Sequence, residues 1–273
     1  MDPRPIGVFD SGIGGLMAVR MLRYLLPGEP ILYLGDTARM PYGDRPAGEI
    51  DRLTGELTGW LLRQNVKALI AACGTISCNA GETLQQLPVP CFDVVTAAAE
   101  AAAQATRNGK VGLAATSATI RSGRFTEEIE RRTGQAVTAV PCPLLAPMIE
   151  HGAGPDDPAL AAAVAEYCQP LLQSGVDTVV LGCTHYPLIA ELFTRILGPE
   201  VSLIDCAGEA AKAAAEAMKE QHLLAEGNDP AVTEYRFTAL PPQAARQTAR
   251  RMLGEDFTPR LLPLEKLTAF STE

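Results

Sequence analysis

The chain has 273 residues, long for one domain and comfortable for two, and carries a net charge of −9. With 47% hydrophobic and 20% charged residues it has the make-up of a soluble globular protein, which excludes fibrous, collagenous and disordered classes. The acidic balance argues against a nucleic-acid partner, which normally shows as clustered Lys and Arg, and leaves open a small anionic ligand held by backbone amides.

The opening segment MDPRPIGVFDSGIGG lacks the apolar core and small-residue cleavage site of a signal peptide. No apolar run reaches the roughly 20 residues that a membrane span needs. The expected address is the cytoplasm, with no membrane partner.

In chain order, PIGVFD (5–10) predicts a strand ending in Asp10, followed by the turn SGIGG and a helix over 15–26. PILYLGD (30–36) predicts a second strand, closed by the turn ARMPYGDRP. Residues 47–64 have helical spacing through Ile50, Leu53, Leu57 and Leu61. VKALIAACGT (66–75) and VPCFDVV (89–95) predict strands, and the Ala-rich run 97–107 a helix. The plan then repeats, with strands at 110–119, within 136–152, from 176 and at 201–206. Helices are expected at 120–134, 157–174, 187–197 and 208–225. The Pro-rich tail after 239 does not read as a further domain. Strand–helix alternation of this kind predicts an α/β fold of parallel sheets with helices on their faces. The two halves agree in register: their first strands are offset by about 105 positions, and Cys73 of AACGT and Cys183 of LGCTH by 110.

Seven cysteines, an odd number with no C-x-x-C pair, predict reduced thiols, most of them small core residues. His151, His185 and His222 are far apart in sequence and suggest no metal cluster. FDSGIGG lacks the lysine of a phosphate loop and the glycine spacing of a dinucleotide fold.

Ligands of parallel sheets bind beyond the carboxyl ends of the strands. The residues expected there are Asp10, Ser11, Tyr42, Gly43, Cys73 and Thr75 from the first half, and Thr116, Thr119, Cys183, Thr184 and His185 from the second. Two opposed thiols suit proton removal from one face of a stereocentre and return to the other, because one can be thiolate while the other is thiol. Asp10 is placed to assist Cys73, or simply to cap the Gly-rich turn. His185 is placed to assist Cys183, or to serve as a structural histidine. The hydroxyls of Ser11, Thr75, Thr116, Thr119 and Thr184 could hold a small carboxylate-bearing ligand.

Taken together in order, IGVFDSGIGGL, YLGDTARMPYG, KALIAACGT, PMIEHG and VVLGCTHYPL resemble the glutamate racemases over residues 5–210. The resemblance implies two similar α/β domains related by a pseudo-twofold, with the active site between them. These would be 1–97 with 209–273, and 98–208. It implies interconversion of L- and D-glutamate for peptidoglycan without pyridoxal phosphate, metal or nucleotide. Cys73 and Cys183 match the acid/base thiols, Asp10 and His185 their helpers, and Glu150 a residue behind His185. Asp10, Ser11, Tyr42, Gly43, Gly74, Thr75, Thr184 and His185 match substrate-contacting positions, and Thr116 and Thr119 match less specifically. Family members are often dimers, which allows for a homodimer.

One position departs from the pattern. The family's ACNTAS reads ACGTIS here, so Gly74 stands where an Asn is expected to touch the substrate. Such a bond to a charged group is worth about 1.5–3 kcal/mol. Sliding the match to Cys78–Asn79 would break the strand-to-Cys register, so Cys73 is retained. The alternatives are a racemase of another acidic amino acid, an amino-acid-binding protein without turnover, and a Cys–His hydrolase built on Cys183 and His185.

Overall fold

Wholly buried, mostly apolar runs make the central strands, the pattern expected where helices cover a parallel sheet on both faces. The computed structural model describes residues 2–43, 45–227 and 230–268; Asp44 of the predicted 38–46 turn lies outside them. The first part of the chain runs β1 (Ile6–Asp10), α1 (Leu16–Leu25), β2 (Ile31–Gly35), α2 (Ala47–Arg63) and β3 (Ala68–Ala71). Two short helices, α3 (Gly74–Asn79) and α4 (Gly81–Gln85), lead to β4 (Cys91–Asp93) and α5 (Val94–Ala105). Next come β5 (Val111–Ala115), α6 (Ser117–Ser122), α7 (Arg124–Thr133), β6 (Thr138–Pro141), α8 (Leu145–Glu150), α9 (Pro158–Ser174) and β7 (Thr178–Leu181). A 3-10 turn (Tyr186–Ile189), α10 (Ala190–Leu197), β8 (Ser202–Asp205) and α11 (Cys206–Glu220) follow. The chain ends in β9 (Thr233–Phe237), α12 (Gln243–Leu253), β10 (Pro259–Leu261) and α13 (Glu265–Thr268).

All strand pairs are parallel, in two sheets of order β10-β9-β2-β1-β3-β4 and β6-β5-β7-β8. The run β2-β1-β3-β4 of the first sheet is repeated in order by β6-β5-β7-β8, which bears out the two-sheet α/β expectation. The tail returns to the first sheet: β9 pairs with β2, Gly35 opposite Phe237, and β10 pairs with β9. These two strands and α12 were not anticipated.

Two aspartates mark the crossings between sheets. Asp93 ends β4 and caps α5, accepting from Val95 N and Thr96 N; Asp205 ends β8 and caps α11, accepting from Ala207 N. The two helices pack together, and the residues they bury are mostly alanines: Ala98, Ala99 and Ala102 on one and Ala207, Ala210, Ala211 and Ala214 on the other. Small side chains allow this close approach. One apolar core therefore runs from Val8 and Tyr33 in the first sheet to Leu113 and Val180 in the second. The helix expected over 120–134 is broken at Gly123, whose φ of 72° ends α6 and opens α7. No described helix is long and apolar enough to cross a membrane.

Candidate active site

Both sheets end at one cavity of about 180 Å³, lined from both. Every residue singled out from the sequence lies on its wall: Asp10, Ser11, Tyr42, Gly43, Cys73, Gly74 and Thr75 on one side, Thr116, Thr119, Glu150, Cys183, Thr184 and His185 on the other. Each thiol sits two residues past its strand, Cys73 beyond β3 and Cys183 beyond β7. Cys73 is the N-cap of α3, with extended backbone angles, so the strand predicted over 66–75 ends early to begin a helix. The thiols are nearly buried, 6% and 7% exposed.

The surroundings of the two sulfurs differ. Ser11 Oγ lies 3.4 Å from Cys73 Sγ. Burial and the neighbouring Asp10 charge push the Cys73 thiol up to about 12, with the Ser11 hydroxyl acting in the opposite direction. Asp10 is itself buried, which raises its carboxyl, although amides of the turn hold it down. Its Oδ2 accepts from Gly15 N at 3.0 Å and Gly12 N at 3.3 Å. The two readings of Asp10 thus describe one arrangement: it caps the Gly-rich turn and stands beside Cys73. The buried Tyr33 hydroxyl donates to Gly12 O at 2.9 Å and pins the same turn, a role no sequence motif signalled.

At the other sulfur, His185 Nδ1 lies 3.6 Å from Cys183 Sγ and its Nε2 lies 3.0 Å from Glu150 Oε1, an ion-pair approach rather than an aligned hydrogen bond. Burial works against the charged ring, but Cys183 and Glu150 outweigh it and raise His185 to about 10. The two contacts thus bias the ring towards its protonated form, with one nitrogen turned to the Cys183 sulfur and the other to the Glu150 carboxylate. Glu150 is the last residue of α8, and Thr248 Oγ1 of α12 donates to the preceding carbonyl, Ile149 O, at 3.2 Å. Helix α12, which the sequence reading did not pick out, thus buttresses the helix that presents Glu150.

Other positions are more modest. Tyr42 lines the cavity, but its hydroxyl donates to Asp36 Oδ2, and Thr238 Oγ1 donates to Asp36 Oδ1 at 2.7 Å. The Met40–Pro41 peptide beside it is cis. Thr116 caps α6 and bonds Thr119 Oγ1 at 2.9 Å. Met40, Pro143, Ala146 and Pro147 add apolar lining that the sequence did not single out. Among the described lining residues there is no Lys or Arg. Among the described residues no three His, Cys, Asp or Glu side chains gather as a metal-binding group.

Fold and cavity define a two-domain α/β protein whose cleft carries one thiol on each wall. The family model for Asp/Glu/Hydantoin racemase matches residues 17–214. A glutamate racemase of Syntrophus aciditrophicus is 42% identical over 253 residues, covering 92% of this chain and 93% of that protein. The crystal structure of glutamate racemase from Francisella tularensis, in complex with D-glutamate, superposes with a TM-score of 0.90 at 33% identity, covering 99% of this chain and 100% of that one. The Thermus thermophilus enzyme, in complex with beta-chloro-D-alanine, gives 0.85 at 39% identity, covering 97% and 100%. The chain belongs to the Asp/Glu/Hydantoin racemase family, and so to the isomerases.

Proposed function

We propose that this protein is a glutamate racemase that moves the α-proton between two thiols. The observation that carries the reading is the placement of Cys73 and Cys183 on facing walls of one cavity, each with its own ionisable neighbour. The inequality of the neighbours suggests the resting assignment. Cys73, raised by burial and by Asp10, rests as the thiol and serves as the acid. Cys183, facing the imidazolium of His185, serves as the base, and Glu150 holds that imidazolium charged. Cys183 sulfur takes the α-proton from one face of the substrate, and Cys73 gives its proton to the other. In the reverse direction the roles exchange.

With no Lys or Arg among the described lining residues, the substrate carboxylates fall to hydroxyls and backbone amides. Ser11, Thr75, Thr116, Thr119 and Thr184 stand at the starts of helices or turns where such groups converge. The family resemblance extends the reading to D-glutamate supply for peptidoglycan. We also read the chain as two units, 1–97 with 209–273 and 98–208, because the crossings at Asp93 and Asp205 lie near those boundaries.

The test is proton NMR of the purified protein in deuterated buffer, with L-glutamate and then D-glutamate and nothing else added. Loss of the α-proton signal from each, with optical rotation decaying to zero, is expected. Unchanged signals from both enantiomers, in folded protein, would overturn the assignment.

A further inference from the structure

Two glycines of the first sheet's loops leave no room for a side chain, and the same short segment of the second sheet fills both gaps. A Cβ on Gly74, at the start of α3, would stand 2.7 Å from the Gly182 carbonyl oxygen and 3.5 Å from Thr119 Oγ1. A Cβ on Gly14 would overlap Thr184 Oγ1 and come within 3.0 Å of His185 Cε1. Neither glycine has a left-handed φ, so the backbone would accept any residue and only space forbids one. The segment they grip, 182–185, carries Cys183 and His185, and Gly74 directly follows Cys73.

We infer that Gly74, together with Gly14, sets the width of the cleft and hence the spacing of Cys73 and Cys183. On this account Gly74 is a positioning residue, not the scar of a lost substrate contact. Its missing Cβ is what lets the Gly182 carbonyl seat against α3. Restoring an ordinary 3.4 Å contact to a methyl at position 74 requires the walls to part by 0.7 Å. A proton relay between fixed groups tolerates little of this, since a displacement of about 1 Å costs roughly a hundredfold in rate. The consequence for rate rests on the two-thiol reading above, whereas the consequence for geometry does not.

The experiment compares Gly74→Ala, Gly74→Asn and Gly14→Ala with the unaltered chain in two measurements. The first is racemisation of glutamate, where kcat is expected to fall about ten- to a hundredfold in all three variants. The second is alkylation by iodoacetamide without substrate, read cysteine by cysteine by mass spectrometry. Cys73 and Cys183 are expected to react several times faster, while Cys142, Cys168 and Cys206, fully buried in the cores, keep their rates. Gly74→Asn raising kcat/KM, with Gly74→Ala neutral, would mean that a substrate contact had been restored and would overturn the inference. So would unchanged labelling of the two cleft thiols, or faster labelling of all five, which would mark general unfolding rather than a spacer. Absence of turnover in the unaltered chain would instead count against the racemase reading, and the labelling would still decide this one.

Discussion

Replacing Glu150 by Gln keeps the shape of the side chain and removes only its charge. Glu150 Oε1 stands 3.0 Å from His185 Nε2, with the histidine side chain 9% and the glutamate side chain 22% exposed. Coulomb's law at an effective dielectric of about 20 sets a ceiling of about 5.5 kcal/mol on the attraction of unit charges at that distance. Solvent reaching the exposed part of Glu150 screens this, and a charge-assisted contact of this kind retains about 1.5–3 kcal/mol. Racemisation by Glu150→Gln should therefore fall roughly ten- to a hundredfold near neutral pH. The pH dependence gives a second reading. Glu150 is one of the two contacts that raise His185 to about 10, so its loss lowers that value towards the ordinary 6.5. The alkaline limb of the rate profile should move to lower pH accordingly. Deuterium incorporation at the α-carbon, followed by NMR from each enantiomer between about pH 6 and pH 10, measures both effects. A rate within about twofold of the unaltered protein, with an unmoved alkaline limb, would refute the reasoning.

Cys73→Ser and Cys183→Ser should each lower racemisation about 10²–10⁴-fold while leaving the melting temperature nearly unchanged. A variant retaining more than about a tenth of the rate would end the two-thiol reading. The raised value of His185 links folding to pH: its contribution is full below the unfolded value of 6.5 and is lost as pH rises through about 10. The stability gap between the unaltered protein and His185→Asn, measured by urea denaturation, should shrink over that window; a constant gap would contradict it. Away from the site, buried Lys67 donates to Asp2 O at 2.7 Å and Leu223 O at 2.9 Å and pairs with buried Glu29. Lys67→Met leaves Glu29 unpaired and should cost about 3–5 kcal/mol in urea denaturation, part of which Glu29→Gln added to it should recover. A loss under about 1 kcal/mol would show the pair to be unimportant.

The strands that carry the site were legible because they are short, apolar and punctuated. PIGVFD, KALIAAC and VVLGC each put a polar residue where a covered run stops, and that is where a parallel sheet exposes its ligand end. β9, with sequence TEYRF, was missed although it alternates correctly: Tyr235 and Phe237 face the core, while Glu234 and Arg236 are half-exposed. Charged residues in a segment next to a Pro-rich tail mimic a loop. The pairing of β9 with β2 also depends on residues some two hundred positions away, which local periodicity cannot register. The catalytic candidates were found by residue type, but their inequality was not. The pairings of Asp10 with Cys73 and of Glu150 with His185 were expected from position and resemblance. How deeply Cys73 is buried depends on how β1 and β3 meet, and the closeness of Glu150 to His185 on how α8 meets the turn after β7. Gly74 is the sharpest case: the sequence marks it as a missing side chain, and only the facing Gly182 carbonyl reveals what occupies the space.

The return of the tail to the first sheet has a consequence in time. Thr238, which holds Asp36 and through it the Tyr42 hydroxyl, is 202 positions from Asp36. At about 5–20 residues per second, a ribosome needs roughly 10–40 s to bridge that interval. Until β9 emerges, β2 is an edge strand with one side open, the kind of edge that recruits other chains. Both thiols and every recognisable motif have by then been synthesised. The most aggregation-exposed stage of this protein's life therefore falls when its chemical equipment is complete and its scaffold is not.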